Sequence, residues 1–360
     1  MVSATLFPPT PHLAQDFRTS EGRVLRTTPV FETYWRFAFE RQEIFFKRVC
    51  GLLPPWTNDP ILRNYRFTNV YRVCDRVSQY LIRRVIYEGD QSEEEVFFRV
   101  LLFKLFNRIE TWELLQDGVG PIRWRTFDLD QYARLLDHAL RIGTRLYSAA
   151  YIMPCPPFDA ERKHRNHLAL LHKMMKDQLP RKVAAARSLE SVFSLLRSYP
   201  SIGDFLAYQF AIDLNYSPLT SFSEMEFVVA GPGARSGIRK AFQDASGVSD
   251  EEVVRAITES SAKEFGRRGL AFRGLWGRPL QLIDCQNLFC EVDKYSRVAH
   301  PEINGSSRKR IKQRFFPEAR PTPQWYPPKW QLCAWGAPTP KSTEASALKP
   351  DVPAPIGTAS

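Results

Sequence analysis

The chain has 360 residues, with 50 Lys and Arg against 39 Asp and Glu, a net charge of +11 and a pI near 9.4. With 44% hydrophobic and 13% aromatic residues it can bury a full core, so it is not disordered throughout, and no apolar run reaches the ~18 residues of a membrane span. The cationic surplus permits a nucleic-acid or other anionic partner without choosing one.

Residues 1–28 form a loop-like arm of net charge +1. Met1 to Asp16 lack a charged start followed by an apolar stretch, so no secretory signal is expected. Six scattered cysteines without a C-x-x-C pair predict reduced thiols in an intracellular protein, nuclear if eukaryotic and otherwise cytoplasmic. From Thr33 onward the periodicity is helical, with helices predicted over Thr33–Arg48 and over 67–86. In the second, Phe67, Val70, Tyr71, Cys74, Val77, Leu81 and Val85 share a face, and Thr68 or Asn69 caps the start. The opposite stripe holds Asn69, Arg72, Arg76 and Arg83, with Asp75 near Arg72. Glu93 to Gln116 reads as one central buried helix, its N-terminus favoured by Glu93, Glu94 and Glu95 through the helix dipole. Its polar exceptions Lys104, Asn107, Arg108 and Glu110 must find partners or line a cavity. Further helices fit Leu129–Tyr147, Ala160–Gln178, Leu189–Ser198, Asp204–Asn215, Asp250–Arg267 and Leu282–Arg297. Strand alternation is nearly absent, so the fold class is all-α. An N-terminal helical part spans 29–187 and a C-terminal one 188–316.

The last 44 residues, 317–360, hold ten of the 27 prolines and a net charge of +1. The distal part of this Pro-rich tail is expected to be disordered, while Trp325, Tyr326, Trp330 and Trp335 suit a strap over 317–336 laid on the domain. About +9 therefore remains on residues 29–316. Five cations crowd 308–314, among them Arg308 and Arg310, which suits phosphate contact, a solvated helix end or a nuclear-import signal.

Catalytic signatures are mostly missing. There is no G-x-x-x-x-G-K-[ST], no G-x-G-x-x-G after a strand and no H-E-x-x-H. ATP-dependent kinase chemistry therefore has no support in the motifs, and the cofactor is left open. Gly231-Pro-Gly-Ala-Arg235 reads as a tight turn with Arg235 leaving it. Glu161, His164 and His167 have ligand-like spacing, but no second copy faces them and Arg162, Lys163, Arg165 and Lys173 would repel a cation. A solvated or phosphate-facing helix is expected there, with no metal. Tyr199-Pro-Ser-Ile-Gly-Asp204 enters an apolar helix, where backbone N–H groups at Gly203 offer a phosphate seat. About twenty residues later come Glu224 and Glu226.

That order is similar to helix-hairpin-helix DNA glycosylases, which grip the DNA backbone and flip a base. The chain departs from them in having Glu for their Asp and in lacking their Lys nucleophile. A more specific likeness lies in Phe67-Thr-Asn-Val-Tyr-Arg-Val-Cys-Asp-Arg-Val-Ser-Gln-Tyr-Leu81, Phe103-Lys-Leu-Phe-Asn-Arg-Ile-Glu-Thr-Trp112, Tyr151-Ile-Met-Pro154, Phe205-Leu-Ala-Tyr-Gln-Phe210, Phe227-Val-Val-Ala-Gly-Pro-Gly-Ala-Arg235 and Gln286-Asn-Leu-Phe-Cys-Glu-Val-Asp-Lys-Tyr295. These strings resemble the helical domain of 5-hydroxymethyldeoxyuridine DNA kinases, also described as the alpha-glutamyl/putrescinyl thymine pyrophosphorylase clade. The resemblance implies work on hypermodified thymine in double-stranded DNA, as a base-flipping, transferase-like domain or as a base reader beside a partner kinase. Such chemistry needs cations on leaving phosphates and a general base. Arg72, Arg76, Lys104, Arg108 and Arg235 are the candidate cations, and Glu110, Glu224, Glu226, Asp284 and Glu291 the candidate bases. Asn69, Gln79, Asn107, Gln286 and Asn287 could read a base edge. Asn69 as a helix cap, Asp75 with Arg72 as a surface pair, Glu291 with Arg297 or Lys294 as another, and Glu110 as the buried partner of a structural arginine are the plain alternatives.

Overall fold

The computed structural model describes residues 15–158, 161–303, 310–317 and 323–332. Among these residues the chain forms thirteen α-helices and one two-stranded sheet, an all-α body. The sheet pairs β1 (Asp16–Arg18) with β2 (Val24–Arg26), so part of the arm expected to be loop is a hairpin. Helix α1 (Pro29–Val49) starts where the Thr28 hydroxyl accepts the Val30 N–H and Pro29 fixes the first turn. After the short α2 (Pro60–Asn64), the stretch predicted as one helix over 67–86 breaks up. It runs extended to a 3₁₀ turn at Arg72–Cys74, then α3 (Arg76–Tyr80) and a π-helical turn at Leu81–Ile86. Asn69 caps nothing: its amide donates to Cys74 O and its backbone N–H goes to Asp75. The apolar periodicity was genuine, because Val70, Tyr71, Cys74, Leu81 and Val85 are buried. The backbone N–H groups of Thr68, Asn69 and Arg72, however, go to the carboxylates of Glu291, Asp75 and Asp284 instead of up a helix.

The long buried helix predicted from Glu93 is two helices, α4 (Glu93–Phe106) and α5 (Ile109–Val119). They separate at Asn107, which adopts φ 49°. Glu95 is buried and accepts the backbone N–H groups of Trp124 and Arg125. Then follow α6 (Leu129–Arg141), α7 (Lys163–Lys176) and α8 (Leu179–Ala184), with α6 stopping six residues short of the predicted Tyr147. Helices α9 (Leu189–Arg197), α10 (Asp204–Asn215), α12 (Asp250–Arg267) and α13 (Leu282–Ala299) lie close to their predicted bounds. The turn expected at 231–235 is instead the start of α11 (Pro232–Ala241), which packs tightly on α13. Helix α10 is buried almost all round and lies against α4 and α9.

His164 and His167 of α7 are buried, not solvated. His164 lies 3.0 Å from Asp137, and His167 donates from Nε2 to Pro154 O while its Nδ1 accepts from Tyr147. No group of three or more potential metal ligands occurs among the described residues. Burial, with Lys163 and His164 adding to it, lowers His167 to about 4 against the pull of the Pro154 carbonyl. A folded value below the unfolded one means its stabilising share is complete above about pH 6.5 and fades as pH falls toward 4. Imidazole nitrogen NMR is expected to show His167 neutral at pH 5, and a charged ring at that pH contradicts this packing.

The predicted strap is present in its described part. The Trp325 backbone N–H donates to Gln79 Oε1, and Gln79 Nε2 donates in return to Trp325 O. Tyr326 is buried against Trp276, with its hydroxyl 3.5 Å from the Cys74 thiol. Trp335 and Arg308 lie outside the described residues. Among the described residues no helix is long and apolar enough to cross a membrane.

Candidate functional site

The site begins with the broken helix. The Arg72 backbone N–H donates to Asp284 Oδ1 at 3.0 Å, which turns the Arg72 side chain inward. There its guanidinium meets Asp213 of α10 in a two-pronged contact of 2.8 and 3.0 Å. Its Nε donates to Gln209 Oε1, one helical turn before Asp213. Lys104, in the last turn of α4, reaches the same Asp213 carboxylate at 3.0 Å and donates to Asn107 Oδ1 at 2.7 Å. The left-handed Asn107 that ends α4 is thereby fixed by the lysine it receives. Arg72, Lys104 and Asp213 are all buried, so two cations share one anion. Burial opposes the Asp213 charge, yet Arg72 and Lys104 hold its carboxyl below the ordinary range. Tyr151 completes the knot by donating to Gln209 Oε1 and placing its ring 4.9 Å from Lys104 Nζ.

A second cluster adjoins Arg72. Asp284 lies in the first turn of α13 and caps it, its second oxygen accepting the Gln281 N–H. Burial first, then Glu224, pushes the Asp284 carboxyl up to about 7. Glu224 is buried too, and burial raises its carboxyl against Arg278, Arg72 and Lys329. Its Oε2 lies 3.2 Å from Arg278, while Oε1 has no hydrogen-bond partner among the described residues. The two carboxylates therefore differ in use. Both Asp284 oxygens are occupied by backbone N–H groups, and Glu224 keeps one oxygen available. Glu224 lines a pocket of about 220 Å³ with Phe222, Arg278, Gln281, Lys329 and Trp330. The strap supplies the last two. Lys329 donates to the carbonyls of Asn215, Ser217 and Thr220 at the C-terminal end of α10, and Trp330 packs 3.9 Å from the Arg278 guanidinium.

The predicted residues divide accordingly. Arg72, Lys104, Asn107, Glu224 and Asp284 come together in the buried core of the site. Arg76, Arg108 and Glu110 form a separate outer group, with Glu110 exposed at 3.2 Å from Arg108 and 4.0 Å from Arg76. Glu110 is thus no buried partner. Asp75 does not pair with Arg72, because Asp213 takes that arginine. Gln79 and Asn69 have their amides engaged, by Val73 O and the strap and by Cys74 O. Glu226 is exposed, and Arg235 turns away to Ala230 O and Asp250. Gly203 is an exposed N-cap of α10, beside an Asp204 that is bonded to Arg197. Gln286 is buried on α13 with its Oε1 unpartnered among the described residues, Asn287 is half-buried beside it, and Arg310 is exposed. Glu291 pairs with Lys294, and Arg297 pairs with Asp293.

Sequence reading missed Asp213, Gln209, Arg278 and Lys329. A signal existed for the first two. Gln209 and Asp213 are polar exceptions four residues apart on an otherwise apolar helix, the same pattern that marked Lys104. Arg278 and Lys329 lie in irregular segments, where no periodicity distinguishes them.

A family model described as "5-hmdU DNA kinase, helical domain" matches residues 28–305. A protein named 5-hmdU DNA kinase, from Bacillus phage SP10, is 30% identical over 299 residues, which is 76% of this chain and 46% of the relative. The chain thus spans about half the length of that relative. No solved structure matches.

Proposed function

Because this chain belongs to the family of 5-hmdU DNA kinase helical domains, we propose that it acts on double-stranded DNA carrying a hydroxymethylated thymine. In this reading it grips the duplex and receives the modified base, out of the stack, in the polar core around Arg72. One observation carries the proposal. Tyr208 Oη, Gln209 Nε2 and Glu224 Oε1 are buried polar atoms without partners among the described residues. Gln209 is bonded to Arg72, and both Tyr208 and Glu224 feel the Arg72 charge. Each such atom left unsatisfied costs roughly 1–3 kcal/mol. A pyrimidine edge with its hydroxymethyl group offers the donors and acceptors that would satisfy them.

The chemistry follows from Glu224. The Glu224 carboxylate, its proton affinity raised by burial, can take the proton of the 5-hydroxymethyl O–H as that oxygen bonds the γ-phosphorus of ATP, while the bond from that phosphorus to the β,γ-bridging oxygen breaks and ADP leaves. The absence of a phosphate-cradling motif favours a donor held by a partner kinase. It also favours the second reading, a base reader without chemistry of its own. The two separate in one experiment. Fluorescence anisotropy is expected to show at least tenfold tighter binding to a duplex with one 5-hydroxymethyluracil than to its thymine twin, weakening as salt rises. Nucleoside mass spectrometry with ATP and a partner kinase then scores conversion, which Glu224→Gln abolishes in the catalytic reading. Preference without conversion supports the reader, and equal affinity for the two duplexes rejects base recognition.

A further inference from the structure

Ile152 is 89% exposed, yet it sits on a loop that is tied down on both sides. Ser148 N–H donates to Phe106 O, and Tyr151 donates to Gln209 and packs edge-on against Phe205. On the other side Met153 is buried, Pro154 O accepts from His167 and Cys155 O accepts from Ser201. The chain therefore holds a large apolar side chain out in water on a fixed mount. Its preceding neighbours Ala149 and Ala150 are small and exposed, so Ile152 is a narrow tip. A stable protein–protein interface needs roughly 800 Å² per partner, which one side chain does not supply.

Cations ring the base of the loop. Arg145 donates to Tyr147 O, Lys163 lies 4.4 Å from the Tyr147 ring, and Arg108 follows the Phe106–Asn107 step to which Ser148 is bonded. Beneath the loop, Tyr151 rests on Gln209, whose amide Nε2 is buried and unpartnered among the described residues. An apolar tip flanked by cations, above a buried donor, matches the chemistry of a base step between two phosphate strands.

We propose that Ile152 is a wedge that enters the DNA base stack and fills the space left by an extruded nucleotide, with Arg145 and Lys163 against the backbone phosphates. The inference rests on the DNA reading above. It makes Ile152 a positioning residue rather than a catalytic one.

The test uses the full chain and a duplex with one 5-hydroxymethyluracil whose 3′ neighbour is 2-aminopurine, a base that brightens on unstacking. The unaltered protein is expected to raise the fluorescence several-fold. Ile152→Ser should reduce that rise at least threefold at saturating protein, while binding of the corresponding single strand, which has no stack to enter, stays within twofold. Because Ile152 is exposed, the variant should melt at the same temperature by circular dichroism. An undiminished rise with I152S, or an equal loss of single-strand affinity, overturns the wedge and leaves DNA binding standing. If the unaltered protein binds neither duplex nor single strand at low salt, the DNA reading falls and the wedge with it.

Discussion

Replacing Asp213 with Asn is expected to cost about 3–5 kcal/mol of folding stability, a large share of the ~5–15 kcal/mol that holds a domain together. The substitution keeps the shape and removes the charge. Arg72 and Lys104 then remain buried with no counter-ion, and the loss of one partner of a buried pair is far costlier than the pair's net worth. The origin of the loss can be isolated. Lys104→Met in the D213N background removes one of the stranded cations and should restore part of the stability, so the two changes are strongly non-additive in urea unfolding. Simple additivity would mean that the three charges do not act as one unit. If the proposed DNA reading holds, any surviving folded fraction of D213N should also bind 5-hydroxymethyluracil DNA poorly, since Arg72 and Lys104 lose the carboxylate that positions them.

Gly237→Ala is the second large effect. A Cβ on Gly237 would lie 2.2 Å from the Phe289 carbonyl oxygen and 2.8 Å from its carbon. Those are backbone atoms of α13, so relief requires α11 and α13 to move apart. The cost expected is about 3 kcal/mol, seen as a lower urea midpoint. Gly247 has nothing within 4 Å of an added Cβ and no positive φ, so Gly247→Ala is the matched control and should change the midpoint little. A G237A midpoint equal to the control's would refute the close approach.

This glycine also explains the largest misreading of the sequence. Gly231-Pro-Gly-Ala-Arg235 looks like a turn because glycine and proline punctuate chains. Here the proline occupies the first helical turn, and Gly233 and Gly237 form the stripe that meets Cys290 and Phe289 of α13. Only knowledge of what faces a helix tells a packing glycine from a turn glycine. The converse error occurred at 67–86. Apolar spacing there reports burial correctly, but it is blind to the carboxylates of Asp75 and Asp284 that take the backbone N–H groups. Helices with one clean apolar pattern and their own caps, such as α12 behind Ser249, were legible almost to the residue. The candidate site was half legible for a related reason. Arg72 belongs to a polar stripe, Lys104 is a polar exception on an apolar helix and Glu224 follows the hairpin-like turn, whereas Arg278 and Lys329 acquire their roles only when the chain returns to α10 from a distance.

The three carbonyls held by Lys329 give the family boundary a physical meaning. The matched region stops at residue 305, yet residues 323–332 close over α10 and the Glu224 pocket. A clamp joined by its own tether acts at an effective concentration in the millimolar range. Cutting the tether would make the same contacts bimolecular, and a free ten-residue peptide would need comparable abundance to restore them. The folded unit is therefore longer than the matched region, and the last wall of the Glu224 pocket is delivered by intramolecular mass action.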